Sequence, residues 1–405
     1  MRCCVSWVES TDTETGARFT GMFPVATTTL APSPPRWLAT GEIAYRRMLA
    51  LIEGARVSIR CETYIWSDDE VGDRFRGALT RAAARGVHVR ILVDGVGSAE
   101  LPAGYWGGLE QAGGSARIFN PLSPRYFALR NHRKLLLVDD ATAIIGGFNL
   151  ARAYDGDGVT RGWRDFGVEL SAPAALLPLA ESFDSLFRDH RLRHWLLRHV
   201  RRAFLKWPRS YTQEGPVLFS GPRLVRNQFR HQLLRTLHAA KHVSIVSAYF
   251  LPGLRLQRAL CRVARRGGIV ELLLAGKTDV PLAQLAARTY YGSLLRAGVR
   301  IWEYQPQVLH AKLAIIDDAV FAGTANLDAR SLGINYEFMV HFDDPALTYA
   351  ATASFVGDLP FAREITLDDW REQQTWPLRL RGAWARFLLT QVDPWLAHQQ
   401  MKTTA

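Results

Sequence analysis

Two histidines in this chain are each followed, two residues later, by a lysine, and then by a carboxylate, small residues and an asparagine. The first set, His132, Lys134, Asp139, Gly146, Gly147 and Asn149, lies in "NHRKLLLVDDATAIIGGFN". The second, His310, Lys312, Asp317, Gly323, Thr324 and Asn326, lies in "LHAKLAIIDDAVFAGTAN". Lysine ammonium and asparagine amide groups are donors suited to an oxyanion with several acceptors, above all a phosphate. An imidazole near neutral pH can be a nucleophile or an acid. Two histidines on opposite sides of one phosphodiester would suffice, one attacking phosphorus and the other protonating the leaving oxygen. The adjacent lysines repel a divalent cation and can replace it electrostatically, so neither a metal nor another cofactor is expected. One such cluster alone reads as a solvated strand end. Two with matching spacing read as a site.

Positioning these groups takes particular elements. Residues two apart in a strand share a face, so each His-x-Lys pair should project together while "LLLV" and "LAII" continue into the core. The Asp-Asp pairs suit hairpin turns, after which the chain runs back and returns each asparagine near its own histidine. A reactive imidazole needs its other nitrogen held by an acceptor. Asp165 in "GWRDFGVEL" and Glu337 in "INYEFMVHF" follow the two clusters in strand-like runs, which places each as an orienting carboxylate in the sheet of its own cluster. The competing reading of either is an ordinary surface carboxylate.

The chain around these clusters is written twice. Helix-like "GEIAYRRMLALIEGA", strand-like "VSIRCETYIW", helix-like "DRFRGALTRAAARG" and strand-like "VHVRILVDGVGS" recur as "RNQFRHQLLRTLHAAK", "HVSIVSAYF", "LQRALCRVARRGG" and "IVELLLAG". Alternating strands and helices predict the α/β class, and the repeat predicts two α/β/α sandwich domains related by a pseudo-twofold axis. Their expected bounds are 39–190 and 216–395, with a flexible lead-in at 1–38, a connection at 191–215 and a tail at 396–405. A length of 405 residues, 48% hydrophobic and 22% charged, supports two ordered cores. The net charge of +12 calls for an anionic partner, nucleic acid or an acidic membrane surface. Cys3, Cys4, Cys61 and Cys261 show no CxxC pairing, against a zinc site or disulfide scaffold. No window reaches the roughly 18–20 apolar residues of a spanning helix, so any membrane contact is expected to be peripheral. Residues 191–207, "RLRHWLLRHVRRAFLKW", read as a basic amphipathic helix that either anchors at a membrane interface or packs on the protein. The similar segment 378–396, "LRLRGAWARFLLTQVDPWL", is expected to pack.

At the paired His-x-Lys-x4-Asp segments the sequence resembles the phospholipase D superfamily, over about residues 40 to 395. Within it, "ETYIW" with Asp69 and Gly72, "RGVHVRILVDGVGS", "SAYFLP", "LLRAGVRIWEY" and "GTANLDARSLGINYE" are similar to bacterial cardiolipin synthases of the shorter kind without N-terminal transmembrane helices. In the last phrase Asn326, Asp328, Arg330, Ser331, Asn335 and Glu337 match that subfamily's second motif. The resemblance implies two phospholipase D-like domains with the active site at their interface, and phosphatidyl transfer from phosphatidylglycerol to a second phospholipid. His132 would be the nucleophile and His310 the acid and then base. Lys134, Lys312, Asn149 and Asn326 would bind the phosphate, with Thr324 and Gly147 completing that set unequally, because Gly147 stands where a hydroxyl residue is common. Asp165 would orient His132 and Glu337 would orient His310. Asp139 and Asp317 belong to the catalytic motif in a role expected to be structural. The implied setting is an anionic membrane surface, the cytoplasmic face of the bacterial inner membrane, with no nucleic acid and no obligate protein partner. Hydrolysis to phosphatidic acid and a nucleic-acid phosphodiesterase remain alternatives from the same chemistry.

Overall fold

Fifteen strands and ten helices are seen among the residues described by the computed structural model, which are 33–121, 129–189, 215–221, 227–394 and 396–397. The basic segment 191–207, Cys3 and Cys4 lie outside them. The first sheet holds β1 (Arg36–Leu38), β2 (Ser58–Thr63), β3 (His88–Asp94), β4 (Ser115–Phe119), β5 (Leu135–Val138), β6 (Thr142–Gly146) and β7 (Gly167–Leu170). The second holds β8 (Val217–Ser220), β9 (His242–Ser247), β10 (Ile269–Lys277), β11 (Arg300–Val308), β12 (Lys312–Ile316), β13 (Ala319–Gly323), β14 (Glu337–Asp343) and β15 (Ala362–Ile365). Their spatial orders are β4-β3-β2-β5-β6-β7-β1 and β15-β11-β10-β9-β12-β13-β14-β8. Apart from β15 the second order repeats the first strand for strand, as the doubled sequence predicts.

Helices α1 (Gly41–Gly54), α2 (Glu70–Ala84), α3 (Gly107–Gln111) and α4 (Pro173–Arg188) accompany the first half; α5 (Gln228–Thr236), α6 (Leu254–Arg265), α7 (Pro281–Leu295), α8 (Pro345–Asp358), α9 (Leu367–Gln373) and α10 (Trp376–Phe387) accompany the second. Asp69 caps α2 by accepting from the amides of Val71 and Gly72. A Cβ on Gly72 would come within 1.9 Å of the Ser67 carbonyl oxygen, so this turn requires glycine.

The apolar runs are continuous because both faces of the strands are buried. Leu135, Leu137 and Ile145 enter a core that also takes Val246, Leu273, Leu313 and Ile315 from the second sheet. Their neighbours Leu136, Val138 and Ile144 enter an outer core with α1 and α2, and Ala314 and Ile316 enter the corresponding one beneath α5 to α7. The halves thus share one inner core. Cys61 and Cys261 are free thiols in the two outer cores.

One sequence expectation changes here, and the structural role expected of Asp139 and Asp317 becomes specific. Arg36–Leu38, assigned to the flexible lead-in, pairs antiparallel with β7, and Leu38 is fully buried. A short apolar sequence beside an open sheet edge is enough to order it. Asp139 and Asp317 are turn residues, not reacting groups. Each adopts a positive φ, 53° and 50°. The Asp139 carboxylate accepts from the amides of Arg56, Val57 and Ser58 at 3.0, 2.7 and 2.9 Å, and Asp317 does the same for Lys241 and His242. Both tie their hairpin to the start of β2 or β9, at the opposite end of β5 and β12 from the histidines. The hairpin loops differ by one residue, since Val138 pairs with Thr142 but Ile316 pairs with Ala319. That difference accounts for the shorter second spacing without touching the site.

Burial pushes the Asp139 carboxyl up, but its three backbone donors outweigh this and hold it below the usual carboxylate range. A depressed folded pKa stabilises above the unfolded value and is lost as pH falls. Asp139→Ala should therefore cost about 1–3 kcal/mol of stability at neutral pH, with the gap closing below pH ~4. Denaturant titration checks this, and turnover per folded molecule should be retained; lost turnover at unchanged stability would return Asp139 to the chemistry.

Candidate active site

Each histidine is set by a backbone bridge to the other half. Asn131 bridges Tyr336, with the Tyr336 amide donating to the Arg130 carbonyl and the His132 amide donating to the Tyr336 carbonyl, both at 3.0 Å. In the second half Arg164 bridges Leu309, and the His310 amide donates to the Arg164 carbonyl at 2.7 Å. The residue after Tyr336 is Glu337, and the residue after Arg164 is Asp165. The chain therefore delivers each carboxylate to the histidine of the opposite half.

This corrects the expected pairing. His132 Nδ1 lies 3.0 Å from both carboxylate oxygens of Glu337, and His310 Nδ1 lies 2.7 Å from Asp165 Oδ2. All four side chains are buried. A carboxylate on Nδ1 fixes the proton there and leaves Nε2 as the reacting nitrogen. The same-sheet reading failed because β7 and β14 start beside the facing half's histidine loop, not beside their own.

The lysines complete the electrostatics. Lys134 Nζ donates to the His132 carbonyl at 2.7 Å, and Lys312 Nζ donates to the His310 carbonyl. Lys312 Nζ also sits 2.8 Å from His310 Nδ1. Burial lowers Lys134 to about 7 and Lys312 to about 8, against the upward pull of Glu337 and Asp165. Burial lowers both imidazoles, His310 the further. It raises Asp165 to about 6, opposed first by Lys312, then by the Phe166 amide and Lys134. Each half's lysine acts on the other half's groups, so the two clusters form one site.

The remaining expected residues divide. Thr324 Oγ1 donates to Glu337 Oε2 at 2.6 Å and accepts from the Phe338 amide, so it holds the orienting carboxylate and not the phosphate. Gly147 is the space Asp165 occupies: a Cβ there would fall 2.0 Å from Asp165 Oδ1, and its amide already donates to the Phe166 carbonyl. Both residues thus leave the phosphate-binding set, and their difference follows from the carboxylate each accommodates. Asn149 accepts from the Ile65 amide and donates to Tyr154 Oη at 2.6 Å. Asn326 is buried, and its Oδ1 has no partner among the described residues.

Several participants were not anticipated. Tyr64 packs edge-on against His132, and Tyr154, Trp163 and Tyr249 surround His310. Behind His132, Arg130 pairs with Asp94, while Arg133 pairs with Glu62 and donates to Ser182. Arg164 binds Asp358 at 2.8 Å on the other side. The available signal was charge inside apolar strands, because a buried charge requires a partner.

Comparison with known proteins decides the family. A family profile described as "Cardiolipin synthase, PLD-like domain" matches residues 48–186 and 233–359, more than half of the chain. The chain belongs to this family. Cardiolipin synthase B of Salmonella typhi is 34% identical over 310 residues, 74% of each chain. The major cardiolipin synthase of Bacillus subtilis is 30% identical over 359 residues, 87% of this chain and 74% of that one. Among solved structures, phosphatidylserine synthase from Haemophilus influenzae shares the fold with a TM-score of 0.65 at 15% identity, over 90% of this chain and 94% of that one. The paired motifs of this chain meet across its two α/β halves.

The shifts set a pH profile. Below pH about 6 Asp165 takes up a proton and loosens His310; above about 7 to 8 the lysines lose theirs and the phosphate its cations. The kcat/KM profile should be bell-shaped between these limits. The alkaline limb of kcat should lie higher, because a bound anion holds the ammonium groups charged. A kcat/KM that stays flat to pH 9 would contradict it.

Proposed function

We propose that the protein is a phosphatidyltransferase that makes cardiolipin, moving a phosphatidyl group from phosphatidylglycerol to a hydroxyl of a second phospholipid. The observation that carries this is the exchanged carboxylate–imidazole pairing beside two buried lysines, in a chain of the cardiolipin synthase family. Neutral His132, its Nδ1 proton held by Glu337, attacks phosphorus through Nε2. The P–O bond to glycerol breaks, and the leaving alkoxide takes the Nε2 proton of His310, an imidazolium that Asp165 and the bound phosphodiester anion hold charged against the downward push of burial. The acceptor lipid's hydroxyl then gives its proton back to His310 and attacks the phosphatidyl-histidine, restoring His132. Lys134, Lys312 and Asn326 take the charge building on the phosphoryl oxygens. Asn149, tied to Tyr154 beside His310, shapes the opposite wall.

The lysines supply the cationic charge the displacement needs, so turnover should not depend on added metal. No helix among the described residues is long and apolar enough to cross a membrane. We place the protein peripherally at an anionic bilayer, with the cytoplasmic face of the bacterial inner membrane as its site of action and no nucleic acid or obligate protein partner. Purified protein with phosphatidylglycerol vesicles and a chelator should yield cardiolipin and free glycerol. Phosphatidic acid alone would make it a hydrolase. His132→Ala and His310→Ala should each lower turnover by about three orders of magnitude or more, and full activity in both would refute the mechanism.

A further inference from the structure

The C-terminal helix α10 turns its large side chains outward. Gly382 and Ala385 are buried against the protein, and a Cβ on Gly382 would meet Thr289 Cγ2 at 2.9 Å. This small face lets α10 lie close on α7. The other face is left in solvent: Trp376 is 75% exposed, Leu380 59%, Trp384 62% and Phe387 55%. At 100° per residue these four positions fall within a single stripe less than a quarter-turn wide. The sequence expectation that segment 378–396 packs therefore holds for its small residues and for Leu389, but not for Leu380, Trp384 and Phe387.

The stripe has basic borders. Arg379 and Arg386 run along one side and Arg381 along the other, all exposed, with no Asp or Glu between Trp376 and Val392. On neighbouring α9, Asp368 pairs with Arg371 and Asp369 caps its own helix, which leaves Glu372 as the exposed carboxylate nearest the start of the stripe. Aromatic and aliphatic side chains rimmed by arginine suit a bilayer interface, where the rings enter the headgroup region and guanidinium groups reach anionic phosphates.

This face is also tied to the active site. Just beyond α10, Asp393 binds Arg330 at 2.6 Å, and Ala397 packs on Ile334. Arg330 and Ile334 belong to the loop that follows Asn326 and leads into Glu337. On the other side, α7 begins next to Asp279, which accepts from Tyr249, the ring facing His310. Ala397 falls in the stretch assigned to the tail, which is thus anchored at its start.

We propose that the exposed Trp376–Leu380–Trp384–Phe387 face of α10 docks the protein on an anionic phospholipid surface and presents the site loop to that surface. This rests on the lipid-transferase reading above. The test uses the full chain, phosphatidylglycerol vesicles, phosphatidylcholine vesicles, and a short-chain phosphatidylglycerol that stays monomeric in solution. Wild-type protein should co-sediment with phosphatidylglycerol vesicles far better than with phosphatidylcholine. The W384S/F387S variant should bind them about tenfold or more weakly, while its turnover of the monomeric lipid stays at the wild-type level. Arg379→Glu with Arg381→Glu should remove the preference for the anionic vesicles. Unchanged vesicle binding by W384S/F387S would overturn the proposal. So would a wild-type dimer that this variant converts to monomer, since the face would then cover a second copy. Because sedimentation needs no turnover, failure of both proteins to convert the monomeric lipid would count against the transferase reading alone.

Discussion

Two imidazole–carboxylate pairs, each made of one residue from either half, are the interactions on which this structure depends. A buried histidine that must attack or donate through Nε2 needs its Nδ1 proton held, and here the holder always belongs to the other half. Neither half can therefore present a working histidine by itself. The shared inner core, the bridges at Asn131–Tyr336 and Arg164–Leu309, and the Arg164–Asp358 ion pair keep the halves in the register this exchange requires. Gly147 and Thr324, at equivalent places after β6 and β13, follow from the same constraint. One makes room for the shorter carboxylate and the other donates to the longer one.

Burying Lys134, Lys312, Asp165 and Glu337 together is costly unless the charges balance. Two cations and two carboxylates do balance, but at the price of lysines drawn toward neutrality. A phosphodiester entering this space adds the negative charge that restores both ammonium groups. Substrate binding and the correct protonation state are thus one event, and water-excluding walls of tyrosine and tryptophan strengthen every term in it.

Much of this was legible in the sequence for identifiable reasons. The doubled pattern of strands and helices predicts the matched sheet orders, and the spacing of His132, Lys134, His310 and Lys312 points to the phosphodiester chemistry. What stayed hidden was relative placement. Either assignment of Asp165 and Glu337 preserves the repeat's symmetry, so only the backbone bridges distinguish them. Asp139 and Asp317 share the histidines' strands, yet lie at the far end, which a motif written as a line of residues does not convey. In the C-terminal helix the amphipathic pattern was visible, but its direction was carried by Gly382 and Ala385, the least conspicuous residues in it.

The exchanged pairing can be observed at the imidazoles themselves. Long-range 1H–15N spectra of protein labelled with 15N-histidine report the protonation of each ring nitrogen. The structure predicts that Glu337→Gln perturbs Nδ1 of His132 and leaves His310 unchanged, and that Asp165→Asn does the reverse. Perturbation of His310 by Glu337→Gln, with His132 unaffected, would contradict it.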